Sequence, residues 1–145
     1  MTNAAQRVKT LIQGMTEDRK HYQTLSEMLT EQRQHIISRN TASLDSVNTQ
    51  IMALYQQLSQ NSQRRRRLLQ QLGLSASRDG MKALISRLPS SHQSPVTALW
   101  QTLQKQAEEC QQRNQYNGTL VNMQHEILQN LLNSSEPENW LYQQT

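Results

Sequence analysis

The chain has 145 residues, a mass of 16.8 kDa, 34% hydrophobic residues, 4% aromatic residues and no Phe. An ordinary globular domain is roughly 45–50% apolar, so the composition argues against a thick core; no apolar run approaches the roughly 18–20 residues of a membrane span, and the start MTNAAQRVKT leads to the expectation of no cleaved secretion signal. The net charge of +4 is uneven: +1 over residues 1–63, +7 over 64–105 and −4 over 106–145, a polarity that steers partners rather than setting a fold.

Gln is the commonest polar residue, at 23 of 145. Between Met15 and Leu72 there is neither Gly nor Pro, which predicts almost unbroken helix. The first helix is expected over 4–38. Its apolar positions Val8, Leu11, Met15, Tyr22, Leu25, Leu29 and Ile36 follow 3-and-4 spacing, with Asp18 and Gln32 as polar breaks. A turn over Arg39 to Ala42 follows, and Thr41 or Ser43 is the expected cap of a second helix over 43–72. That helix has the cleanest seam: Leu44, Val47, Ile51, Leu54, Leu58, then Asn61 and Arg65, then Leu68 and Leu72. Gly73 ends it, since glycine readily takes the left-handed conformation after a helix.

Residues 73–94 read as a connector. Asp79 is the expected cap of a short helix from Gly80 to Leu88, bounded by Pro89, and Ser90 to Gln93 read as a loop. Ser94 and Pro95 then open a third long helix over 95–133. Its seam is strong at Val96, Leu99, Trp100 and Leu103. It is weak from Gln104 to Asn117, a stretch expected to pack poorly, and strong again at Leu120, Val121, Ile127, Leu128, Leu131 and Leu132. Residues 134–145 read as a flexible C-terminal tail. The fold class is therefore all-α: an elongated antiparallel three-helix bundle or coiled coil, with a short connector helix between helices 2 and 3.

No constellation for catalysis emerges, and no enzyme is expected. His21, His35, His92 and His125 stand far apart in unrelated contexts, and no Cys/His spacing suits zinc. There is no strand to carry a phosphate loop. The single Cys110 forms no internal disulfide, which fits a reducing cytoplasm. No metal or cofactor is implied.

Arg64, Arg65, Arg66 and Arg67 form the sharpest charge feature. Four consecutive residues wrap the whole circumference of a helix and make a collar, with stems over the seam near Leu68 and a possible pairing with the acidic C-terminal third. No aromatic residues interleave with them, so nucleic acid is a minor reading. Gly118 interrupts the third helix, either as a close crossing or weak point, or as a joint. The stripe Leu120 to Leu132 beyond it reads either as the last third of the core or as a face that takes a partner helix. Trp140, Leu141 and Tyr142 near the C-terminus are either a binding anchor or a tail packed on the bundle.

Four landmarks in this order carry a family resemblance. They are Leu29-Thr30-Glu31-Gln32-Arg33-Gln34 with Ile37-Ser38-Arg39-Asn40; Arg65 to Leu74; Leu99-Trp100-Gln101-Thr102-Leu103; and Arg113-Asn114-Gln115-Tyr116-Asn117-Gly118-Thr119-Leu120-Val121. The sequence resembles the flagellar export chaperones of the FlgN family over about residues 8–133. The resemblance implies a cytoplasmic helical chaperone. It would hold the C-terminal helices of hook–filament junction proteins and dock at the type III export gate. By matching position, client binding falls on Leu120, Val121, Ile127, Leu128, Leu131 and Leu132. Leu141-Tyr142 is the nearest match to the family's gate-docking tyrosine, so Trp140, Leu141 and Tyr142 are the implied gate contact. The competing readings are a structural coiled-coil adaptor with no export client and a nucleic-acid-binding helical bundle led by Arg64 to Arg67.

Overall fold

The structure is a computed structural model that describes residues 2–133, with the side chains of 3–127, 129 and 130. Among these residues the elements are helices only: α1 (Thr2–Ser38), α2 (Thr41–Gln71), α3 (Arg78–Ser86) and α4 (Ser90–Asn133). The expected all-α, elongated antiparallel bundle is what the chain forms. α1 and α4 run parallel and α2 runs against both. At ~1.5 Å per residue α4 is roughly 66 Å long.

α1 is the shared spine, packed along both α2 and α4. Among the described residues no Cα of α2 lies within 8 Å of one of α4. The two outer helices meet through long side chains instead, with the Arg65 guanidinium 5.4 Å from the Trp100 ring centre. At the end where α2 finishes and α4 begins, α3 packs against both.

The core has two apolar clusters. Leu11, Met15, Leu69, Met81, Leu84, Val96 and Leu103 join all four helices at the α3 end. Leu25, Leu29, Val47, Ile51, Leu58 and Cys110 form the middle. The α1 positions alternate by 3 and 4, the spacing that keeps one stripe facing its partners.

The helix ends follow local chemistry, and several differ from the sequence expectation. Arg39 takes a left-handed φ of 56° between α1 and α2. The cap of α2 is Asn40, whose side chain accepts from Ser43 N at 3.3 Å; it lies one residue before the expected Thr41 and three before the expected Ser43. At the other end of α2 Gly73 has φ 78°. Its N–H bonds Gln70 O and the next N–H, of Leu74, bonds Leu69 O, the paired closure that a glycine at this position allows.

α3 begins two residues before the expected Gly80. Ser77, not Asp79, caps it by accepting from Gly80 N, and Asp79 lies in the first turn. A Cβ at Gly80 would overlap the Ser75 carbonyl, so only glycine fits there. The segment Ser90 to Gln93, expected as loop, is the first turn of α4, and Pro95 falls inside the helix rather than at its start. Gln93 explains the early start. From the helix its Nε2 donates to Ser86 O and Leu88 O, carbonyls left free where α3 ends.

Candidate functional site

The polar stretch of α4 is not the poorly packed segment the sequence suggested. Gln106 Nε2 donates to the carbonyl of Arg19 (3.2 Å), the Cys110 thiol to that of Tyr22 (3.8 Å) and Arg113 Nη1 to that of Ser26 (3.2 Å). Further along, Asn117 Nδ2 donates to the Leu29 carbonyl (2.9 Å) and Gln124 Nε2 to the Ile36 carbonyl (2.8 Å). Each of these pairs is separated by 87 or 88 residues, so α4 keeps one register along α1. A carbonyl already bonded within its helix has a second lone pair to offer, so α1 accepts this ladder without losing its own hydrogen bonds.

Two polar layers interrupt the apolar seam. In the first, Asp18 of α1 is 3% exposed. It accepts from Asn61 Nδ2 at 2.8 Å and pairs with Arg65 Nη1 at 3.2 Å. Burial raises the Asp18 carboxyl above its ordinary value, outweighing the opposite pull of Asn61 and Arg65. In the second, Gln32 of α1 links both outer helices. It donates to Asn48 Oδ1 on α2 at 2.7 Å and accepts from Asn117 on α4 at 2.9 Å. Asp18, Gln32, Asn61 and Arg65 were legible as seam positions, but their pairing was not.

The register also places the end of α4. Ser38, the last residue of α1, stands level with about residue 126, so the backbone of α4 at 127–133 runs on past α1 and past the turn into α2. Beside that overhang lies a groove of about 370 Å³ lined by His35, Ile36, Arg39, Leu44, Val121 and Gln124. Three large apolar side chains at this end are exposed: Ile37 (59%), Val121 (46%) and Met123 (53%).

Of the residues singled out for client binding, Leu120 and Ile127 are half-buried and Val121 is exposed at the groove. Leu128, Leu131 and Leu132 lie on the overhanging backbone of α4, with side chains outside the described residues. Trp140, Leu141 and Tyr142 also lie outside the described residues. The groove adds Ile36 and Leu44 from the α1–α2 turn, and Ile37 stands exposed outside its lining. Ile36 and Leu44 had seam signals, whereas Ile37 stands off the seam and gave none. At Gly118 nothing lies within 4 Å of the place a Cβ would occupy. A close helix crossing there is therefore ruled out, and α4 runs through the position as continuous helix.

The arginine run does not act as one collar. Arg65 turns inward to Asp18 on α1. The expected pairing with the acidic C-terminal third does not occur among the described residues, although Glu108 of that third lines one recess with Arg65 and Arg78. Among the described residues no group of three His, Cys, Asp or Glu side chains is arranged to hold a metal ion, and no helix is long and apolar enough to cross a membrane.

Residues 1–139 match a protein-family model described as FlgN protein. A crystal structure of a protein from Pseudomonas aeruginosa, described as a flagella synthesis protein FlgN, is similar in fold, with a TM-score of 0.71 and 27% sequence identity. The alignment covers 78% of this chain and 87% of that one. No curated protein matches the sequence. With the family match running over nearly the whole length, and the same helical architecture in a protein so described, this chain belongs to the FlgN family.

Proposed function

We propose that the chain serves flagellum synthesis as a cytoplasmic export chaperone that works by binding alone, with no catalytic step and no cofactor. Its clients are the C-terminal helical segments of hook–filament junction proteins, which it keeps unassembled and delivers to the type III export gate. The observation that carries this reading is the overhang of α4. Residues 127–133 continue as helix beyond the end of α1, and apolar residues stand there at 127, 128, 131 and 132, one face of a helix. An apolar helical face with no α1 alongside it is suited to a partner helix. The adjoining groove, with Val121 exposed in it, extends the same surface onto the bundle.

In this reading Leu120, Val121, Ile127, Leu128, Leu131 and Leu132 take the client, and Trp140, Leu141 and Tyr142 contact the gate. Co-purification with the C-terminal segments of candidate junction proteins is the test. Capture of such a segment by the wild type, and its loss in the Leu128→Asp/Leu131→Asp variant with helix content retained, supports the client face. If the double variant unfolds, the stripe is core. If the wild type captures no such segment and self-associates instead, the chain is a structural adaptor.

A further inference from the structure

The arginine run has no part in the client reading, yet the fold gives two of its members a shared task. At the α3 end, opposite the overhang, a cleft of about 160 Å³ opens between α2, α3 and the start of α4. Arg65 and Arg66 reach it from α2, Arg78 from the first residue of α3, and Trp100 from α4; Ser62 and Ser77 add hydroxyls, and no carboxylate lines it. Gly80 fixes this meeting, because its close approach to the Ser75 carbonyl sets α3 against the loop that follows α2.

Three guanidinium groups around one cleft repel one another unless an anion sits among them. Only one has a protein counter-ion. The Asp18–Arg65 contact is the single ion pair among the described residues; Glu108 lines the neighbouring recess with Arg65 and Arg78 but pairs with neither. Arg65 is held between Asp18 and the Trp100 ring, a fixed wall rather than a free arm.

We propose that this cleft docks an acidic segment of a partner protein, whose carboxylates are taken by Arg66 and Arg78. Guanidinium matches carboxylate through paired N–H donors. The site is a single cleft and not a track for a phosphate backbone. Arg64 lines a different recess, with Thr10 and Gly14 of α1, and Arg67 is exposed. This surface stands apart from the client face, and either can fail without the other.

The test uses a fluorescein-labelled hexaglutamate peptide as the probe, with fluorescence anisotropy of the full chain at low salt. Hexaglutamate binds, a hexaglutamine peptide does not, and Arg66→Gln/Arg78→Gln weakens binding about tenfold. Both side chains are on the surface, and a thermal melt checks that the variant folds. Arg87→Gln/Lys105→Gln removes the same charge elsewhere and leaves binding within about twofold, as expected for charges that act only at a distance through screening solvent. Equal loss in the two double variants means diffuse attraction to a basic protein and overturns the proposal. So does displacement of the probe by a short oligothymidylate at lower concentration than by unlabelled hexaglutamate, or no binding at all.

Discussion

Asn117 of α4 spends both hydrogens of its amide on α1, one on the Leu29 carbonyl and one on Gln32 Oε1, each at 2.9 Å. Gln32 in turn reaches Asn48 of α2, so a chain of three side-chain amides ties the long helices at one level. Polar layers of this kind fix register, because any slip leaves buried donors and acceptors without partners.

Asn117, 3% exposed, gives up two hydrogen bonds on replacement by Leu, and Asn117→Leu leaves Oε1 of the half-buried Gln32 without its donor. A loss of roughly 2 kcal/mol is expected in urea unfolding. Adding Gln32→Leu recovers part of it, since an apolar pair leaves nothing unsatisfied on that side. A double variant that is worse than the sum of the two singles contradicts the layer.

Asp18 makes stability depend on pH in a definite direction. Its folded carboxyl is raised above its ordinary value, chiefly by burial, so in the window between the two values the folded chain binds more proton than the unfolded chain. The contribution of this group is fully present below the ordinary carboxylate value and is lost as pH rises through the raised one. The stability of the wild type relative to Asp18→Asn should therefore grow as pH falls through that window. A relative stability that shrinks on acidification shows that Arg65 and Asn61 prevail over burial. Asp18→Ala, which leaves Arg65 without its partner, costs roughly 3 kcal/mol at neutral pH.

Gly80 and Gly118 respond oppositely to alanine. At Gly80 the new Cβ meets the backbone carbonyl of Ser75, which cannot swing aside as a side chain can. Gly80→Ala lowers the melting temperature and loosens α3. At Gly118 there is open space on a continuous helix, so Gly118→Ala stabilises by about 0.5–1 kcal/mol through helix propensity alone. A melting point that falls for Gly118→Ala shows that the glycine is needed structurally.

Cys110 reports on the α1–α4 interface. It is buried, its thiol donates to the Tyr22 carbonyl, and burial pushes its titration up. Reaction with a disulfide reagent is therefore slow in the native state and rapid in denaturant. Asn117→Leu, which weakens the same interface, speeds native labelling. Labelling as fast as for a free thiol in the untreated wild type shows that α4 does not stay seated on α1.

Alternation by 3 and 4 of Leu, Ile, Val and Met determined the helical class, the long elements and the Gly73 stop, because apolar periodicity and glycine chemistry are local properties. Caps at Asn40 and Ser77 were missed by one to three residues, since several neighbouring side chains can each accept the same free N–H. The tertiary structure alone decided the rest. Gln104 to Asn117 looked weak because a sequence shows polarity but not the α1 carbonyls that satisfy it. Asp18 and Arg65 were each visible but not as partners, because their pairing depends on the antiparallel register of α1 and α2. The four arginines read as one collar, and the fold sent them to different places. The stripe at 120–132 was visible as apolar. That α4 carries its far end beyond α1 followed only from the offset of 87 to 88 residues between the two parallel helices, a relation no local pattern encodes.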